Sequence, residues 1–422
     1  MSRLLVKKVS HLSIVVIGLL VCTAHSMDMA ETDYENQRVG DWEATQGGYD
    51  VAADPVHGII HFVYGSYGNG VFSLYYSSST NGGTTWTPAS LIQDQAMSPA
   101  LAVGTDGVLH LAYGIPTPGA GEVSWGREHR ISYTSYAGEK WSTPLDVSAG
   151  IAGYDNAIAP RIAVDGDNNL HLIMWSFVRS DYDKTGRCAY RRKVNGKTDF
   201  EPVQIFGPLS GAGGTETPAI TTDAAGDVHI VYQTRVSSSV KAVERRIRHR
   251  DGTWDPQHDY FSNVGVSDFS LSSAVGADGV LHLAAHRYGG TAGGGVAYMN
   301  NRDDPRKLTV KSNWSDVFPD NYTDLLVLPN GDRWVAALNW AEEKKPAEFA
   351  LAWYYHYKAS VGDWSGPILL SPEDYTNANT KREMNPKWLL YQGKVRLFYA
   401  EQAPGQGFKY YQRIFSSGSA GK

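Results

Sequence analysis

The chain has 422 residues, 42% of them hydrophobic and 12% aromatic, with a formal net charge of −6. This mildly acidic balance argues against a general nucleic-acid binder, and two cysteines are too few for a disulfide scaffold. Length alone would allow two or three domains.

Residues 1–26 read as a secretory signal. Lys7 and Lys8 give a basic start, 12–21 is an apolar stretch too short to span a bilayer comfortably, and Ala24-His25-Ser26 resembles a cleavage site. Cys22 would leave with it, so the mature chain keeps only Cys188 and no intrachain disulfide. No later segment reads as a membrane span.

From residue 50 onward one phrase recurs: an apolar strand, an Asp-Gly-type turn, then a second strand with a histidine near its start. DVAADPVHGIIHFVY ends at Tyr64, LAVGTDGVLHLAY at Tyr113, IAVDGDNNLHLIMW at Trp175, ITTDAAGDVHIVY at Tyr232 and SAVGADGVLHLAA at Ala285. LLVLPNGDRWVAAL and WLLYQGKVRLFY put Trp334 and Arg396 in the histidine place. The aligned positions 61, 110, 171, 229, 282, 334 and 396 recur about every fifty to sixty residues, a period of arrays and propellers. Each unit adds an alternating third strand, such as RISYTSY, and in several units a Gly-x-Trp-like fourth, ending at Trp86, Trp141, Trp254 and Trp364. Four short strands make one propeller blade, and a blade buries its faces only against neighbours.

The last unit stops after its third strand, FKYYQRIF, ending at Phe415. RVGDW ending at Trp42 matches SVGDW ending at Trp364, so 38–45 is expected to supply the missing outer strand and remove an exposed sheet edge. The expected fold is all-β: one seven-bladed propeller over 27–415, four-stranded antiparallel blades closed by an N-terminal strand, with 416–422 a flexible tail.

Ser79, Asn81, Gly83 and Trp86 in SSTNGGTTW fit the Asp-box (bacterial neuraminidase repeat), with Asn in the Asp position. On that segment and the repeat, the chain resembles the sialidase-like superfamily of secreted propellers. The resemblance implies a fold marker between third and fourth strands, away from any active site. Sialidases are six-bladed with an Arg-Ile-Pro motif, where this chain has Pro160-Arg161-Ile162. Seven-bladed ulvan and related uronate lyases are similar in architecture. Where they carry catalytic His-, Tyr-Pro and Tyr-Arg positions, this chain has Ala96-Met97, Ile115-Pro116, Ala159-Pro160 and Met174-Trp175. The resemblance implies the architecture and an acidic-glycan substrate class, and transfers no catalytic residue.

Function is expected on the face that carries the long loops after second and fourth strands. The repeated histidines, at one strand position, read as local structural solutions rather than a metal ring. Asp165-Gly166-Asp167-Asn168 has calcium-like oxygens but sits at a hairpin and reads as a turn; no cofactor is expected. The histidines that break the repeat are the candidates. His286 and Tyr288, in His286-Arg287-Tyr288, and His129 are the catalytic candidates, because a lyase needs a His or Tyr base beside a uronate carboxylate. Arg287, Arg179, Arg235 and Arg382 could neutralise that carboxylate, and Tyr190, Trp175, Asn339 and Trp340 could contact sugar. Asp155, Asp181, Asp183, Glu216, Asp268 and Asp374 are the carboxylates a hydrolase would draw on. The expected function is thus a secreted carbohydrate-active enzyme, a monomer acting on an acidic polysaccharide by β-elimination. The alternatives are a sialidase-like exo-hydrolase, a lectin and a protein-interaction scaffold.

Overall fold

The computed structural model describes residues 34–44, 48–68, 71–117, 129–207, 215–235, 241–256, 258–260, 266–290, 293–304, 307–314, 323–340, 350–370, 382–402 and 407–415. The expected signal segment and C-terminal tail lie outside them. The described residues form seven antiparallel sheets. Blade one takes Tyr49–Asp54, Ile59–Gly68, Val71–Ser79 and Ser90–Asp94 in sequence order. Blade two takes Met97–Val103, Leu109–Pro116 and His129–Ala137, with its fourth position split into Lys140–Trp141 and Leu145–Asp146. Blade three takes Asn156–Val164, Leu170–Phe177, Arg187–Lys193 and Gln204–Phe206, and blade four Thr215–Thr222, Val228–Arg235, Lys241–Arg248 and His258–Tyr260. Blade five takes Val266–Val275, Leu281–Gly290, Gly293–Asp304 and Lys307–Trp314, and blade six Thr323–Val327, Arg333–Trp340, Ala350–Lys358 and Asp363–Leu369. The first strands of successive blades lie against one another from blade one to blade seven and back to blade one, so they line a central channel.

Blade seven has Arg382–Tyr391, Lys394–Gln402 and Phe408–Phe415 from the C-terminal end, and Tyr34–Ala44 as its outer strand. The pairing runs from Tyr34 opposite Phe415 to Ala44 opposite Phe408, so the expected closure is the one observed. Val39, fully buried, joins Tyr49, Phe62, Phe398 and Tyr410 in the core between blades seven and one. Arg413 Nε donates to Asn36 Oδ1 at 2.9 Å, and Gln412 Nε2 donates to Gln37 Oε1 at 3.0 Å.

The first strands of blades two, three, four and seven are bulged. Register shifts fall between Met97 and Ala100, Ile158 and Arg161, Glu216 and Ala219, and Met384 and Lys387. Pro99, Pro160, Pro218 and Pro386 sit inside these shifts. Proline has no N–H to give a ladder, so within a sheet it belongs at such a bulge.

The repeated histidines behave as one device. His61, His110, His171 and His282 are buried, and each Nδ1 lies 2.5–2.8 Å from the hydroxyl of a third-strand tyrosine: Tyr76, Tyr133, Tyr190 and Tyr298. His171 Nε2 also donates to Asp165 and His229 Nε2 to Asp223, which closes each histidine onto its own turn. Where the column residue is not histidine, other contacts take its place. Arg396 donates to Gln412 Oε1 in blade seven, and in blade six Trp334 stacks on His356 at 3.8 Å.

The Ser79–Trp86 turn links the third and fourth strands of blade one. Ser79 Oγ accepts from the Gly83 N–H (2.7 Å), Asn81 Oδ1 from the Thr85 N–H (2.9 Å), and the Trp86 indole donates to the Gly83 carbonyl (2.9 Å). Arg396 Nη1 of blade seven donates to the Gly82 carbonyl, so this turn also locks the ring seam. Gly83 has φ +83°, and an added Cβ would lie 1.9 Å from Gln412 Nε2. Gly83→Ala should therefore cost about 1–3 kcal/mol, measured as a fall in the thermal midpoint; an unchanged midpoint would mean the seam yields freely.

Candidate active site

Two sets of connections divide the ring. Turns after first strands are short, as in Asp54 to Ile59, and those after third strands range from the tight Asp304 to Lys307 to the longer Ser79 to Ser90; both sets lie on one face. Connections after second and fourth strands open on the other, loop-rich face.

The backbone brings most candidates to the loop-rich face. His286, Arg287 and Tyr288 lie in the second strand of blade five, with His286 paired to Val296 and Arg287 to Gly295, and that hairpin closes at Gly290 opposite Gly293. Arg235 ends the second strand of blade four opposite Lys241, and Arg382 begins the first strand of blade seven opposite Gln402. Asn339 and Trp340 end the second strand of blade six, paired to Leu351 and Ala350. Arg179 opens the short 3-10 turn Arg179–Asp181 in the loop of blade three. The side chains of these eight residues lie outside the description, as do those of Asp183, Glu216 and Asp268; Asp374 is outside the described residues altogether. Asp155 is exposed, and Asp181 pairs with Lys184 at 3.5 Å.

Three candidates stand elsewhere than on an open surface. Tyr190 is 1% exposed, bonded to His171, and packed edge-on against Trp254 at 5.3 Å. It belongs to the tyrosine column of the third strands, so it supports the core and is not presented to solvent at the loop-rich face. Trp175 is buried against Phe177 at 4.5 Å, and strand pairing sets it between Ile158 and Cys188. His129 begins the third strand of blade two, as its position in the chain predicts, but it is only 4% exposed. Its N–H donates to Asn156 Oδ1 of blade three, tying two blades together.

A polar tier that the sequence reading missed lines the channel. Asp50, Arg161, Ser272, Asp324 and Lys387 share one register, two residues before the first-strand partner of the histidine column. Asp50 Oδ2 accepts the Leu101 N–H of the next blade (2.8 Å), and Asp324 Oδ2 accepts the Trp388 N–H of its next blade (2.7 Å). Ser272 Oγ donates to Asp324 Oδ1 at 3.2 Å, and Lys387 Nζ stands 3.9 Å from Asp50 Oδ1. Burial raises the Asp324 pKa, and Asp50 adds to the rise. Both carboxylates are thus committed to clasping neighbouring blades, which argues against their use as a hydrolytic pair. Charged residues at one shared register were the available signal.

The calcium-like turn is filled by protein donors. Asp165 accepts from Asn169, Asp167 and His171, Asp167 pairs with Arg250, and Asn168 Oδ1 accepts from Thr105. Among the described residues no group of three or more His, Cys, Asp or Glu is arranged to hold a metal ion. Between blades one and two a cleft of about 500 Å³ is lined by Asp94, Tyr113, Ser132 and Asp146. Its carboxylates are engaged, Asp94 by Ser73 and Asp146 by Arg130.

No protein-family model matches the chain, and no curated protein matches it. Similar solved structures include an ulvan lyase of polysaccharide lyase family PL25 bound to GlcA(1-4)Rha3S, at TM-score 0.58 and 10% identity over 89% of this chain and 95% of that one. The polysaccharide lyase Uly1 matches at TM-score 0.55 and 12% identity, covering 89% and 91% of the two chains. A Dyadobacter fermentans protein of unknown function matches at 0.53 and 14%, covering 90% and 99%. At these identities the likeness is one of fold, and chemistry must be argued from the site.

Proposed function

We propose that this chain is a secreted carbohydrate-active propeller enzyme that cleaves an acidic, uronate-containing polysaccharide by β-elimination at its loop-rich face. The observation that carries the reading is the juxtaposition of His286, Arg287 and Tyr288 at the loop end of one blade-five strand, on a rigid seven-bladed ring. The solved lyases of the same fold, one bound to a glucuronate-containing saccharide, support the substrate class. Among the described residues no helix is long and apolar enough to cross a membrane.

In this reading an arginine, Arg287 with Arg235 of the adjacent blade, or Arg179 or Arg382 from blades three and seven, neutralises the uronate carboxylate and acidifies the proton beside it. A base removes that proton, the bond to the leaving glycosidic oxygen breaks, and a carbon–carbon double bond forms in the ring. Tyr288 lies two residues nearer the hairpin end of the strand than His286. Either residue type, histidine or tyrosine, can serve as that base.

The test is incubation with a panel of acidic polysaccharides, reading the ultraviolet band of unsaturated uronate beside reducing ends. An unsaturated product is expected, with Tyr288→Phe and His286→Ala each slowing its formation about a hundredfold. New reducing ends without the band would sink elimination in favour of a glycoside hydrolase. Binding without either product would leave a lectin.

A further inference from the structure

We propose that the cleft between blades five and six on the short-turn face is a second glycan site, which binds an oxoanion carried on a sugar ring, a uronate or a sulfate ester, through Arg333. It goes beyond the catalytic reading, because it lies on the opposite face and rests on a different observation.

That observation is a break in the repeat. The residue before the histidine column is Ile60, Leu109, Leu170, Val228, Leu281 and Val395 in six blades, each no more than 1% exposed. In blade six it is Arg333, 8% exposed. Its Nε is buried without a hydrogen-bond partner, and among the described residues the guanidinium has neither a hydrogen bond nor a carboxylate partner. What it has is aromatic faces, Tyr357 at 4.3 Å and Tyr298 at 5.8 Å. Burying an unpaired cation at an apolar position destabilises a fold. Stacking offsets part of this and holds the group by its face. The N–H donors, which lie in the guanidinium plane, are left for an oxoanion approaching edge-on.

The surroundings fit such a ligand. Arg333 lines a cleft of about 770 Å³ with Tyr357, Trp364, Arg302, Lys311 and Asn300. Arg302 is held by Asp278 and Lys311 by Asp303, so Arg333 is the cation left for a ligand. Three basic side chains face two carboxylates, Asp278 and Asp363, in the lining. Aromatic rings beside the arginine suit the apolar face of a sugar. Blade five leaves room for the cleft: Gly276 stands where blades three and four have Asp165 and Asp223 closing onto their histidines, and Asp278 turns instead to Arg302.

The test is titration of the purified chain with sodium glucuronate, sodium sulfate and glucose, followed by calorimetry and tryptophan fluorescence. Saturable binding of glucuronate, weaker binding of sulfate and none of glucose are expected. Arg333→Leu, which restores the residue type of the other blades, should weaken glucuronate at least tenfold. It should also raise the thermal midpoint by about two degrees or more, because the unpaired charge is gone. Arg333→Lys should fold, keep the charge and lose most of the affinity with the N–H fork. Trp364→Ala should weaken glucuronate more than sulfate. No binding of either anion, or glucuronate affinity unchanged in Arg333→Leu, would overturn the site. A lowered midpoint in Arg333→Leu would make the arginine structural and overturn it too. Equal sulfate and glucuronate affinities, both indifferent to Trp364→Ala, would overturn the sugar.

Discussion

Starting the chain at residue 45 should abolish the single cooperative unfolding transition, or lower its midpoint by about 10 °C or more. The deletion takes the outer strand from blade seven and exposes the ladder of Phe408–Phe415 as an open edge, a template for association with another chain. It also uncovers the Tyr49, Phe62, Phe398 and Tyr410 core that Val39 closes. Buried Arg413 would lose Asn36, and Gln412 would lose Gln37. Removing a partner from a buried charged or amide group costs about 1–3 kcal/mol each, more for a charge. These losses come at the one blade whose strands are not consecutive in sequence.

Val39→Asp makes the same point without shortening the chain. A carboxylate placed in that apolar cluster has no partner, and a loss of more than about 3 kcal/mol is expected. Thermal and urea unfolding, with light scattering for association, check both variants. A truncated chain that melts at the parental midpoint and stays monomeric would mean that six blades and a three-stranded seventh suffice.

This closure was legible because it left its mark twice. The VGDW ending at Trp42 and the one ending at Trp364 both fall in outer strands, one of blade seven and one of blade six. A repeat reports whatever every blade must solve, so the ring, the turns and the structural use of the histidines could be read from it. The same logic accounts for the burial of Tyr190. It lies in a column with Tyr76, Tyr133, Tyr298 and Tyr354, and a residue that recurs at one register serves the blade before it serves a site. The burial of Trp175 and His129 was hidden for another reason. Chain position set them at loop ends, but whether a loop-end side chain turns outward or inward depends on the neighbouring blade, which no single repeat contains. The channel tier and Arg333 are the opposite case. Each is a departure within a column, visible in the sequence only after the blades are aligned and the expected residue type is known.

Acid should destabilise this fold between pH 6.5 and 4, before its carboxylates begin to matter. His61, His110 and His282 are buried, and desolvation pulls each down from 6.5 to about 4. A lowered histidine pKa means that the unfolded chain binds the proton first. Stability is therefore whole above pH 6.5 and falls as pH drops toward 4, by about 3 kcal/mol for each histidine. Three together approach the whole stability of an ordinary domain, about 5–15 kcal/mol. Asp165 acts in the same direction later. Its folded pKa is depressed despite burial, because His171 and Asn169 hydrogen-bond the charged form, so its contribution is present above the unfolded value and is lost only at lower pH. His249 runs the other way. Hydrogen bonds from its ring to Asp255 and Asp227 raise it to about 9, so its stabilisation is full below 6.5 and is lost as pH rises through 9. Stability should peak near neutrality. Melting curves from pH 8 to 4.5 test this, with His110→Gln as the decisive variant. Glutamine can still meet the Tyr133 hydroxyl but cannot titrate, so the variant should lose stability at pH 7 and show a shallower decline below 6.5. A midpoint that stays level from pH 7 to 5, or a variant with the parental slope, would mean that the histidine column already carries its protons in the folded ring.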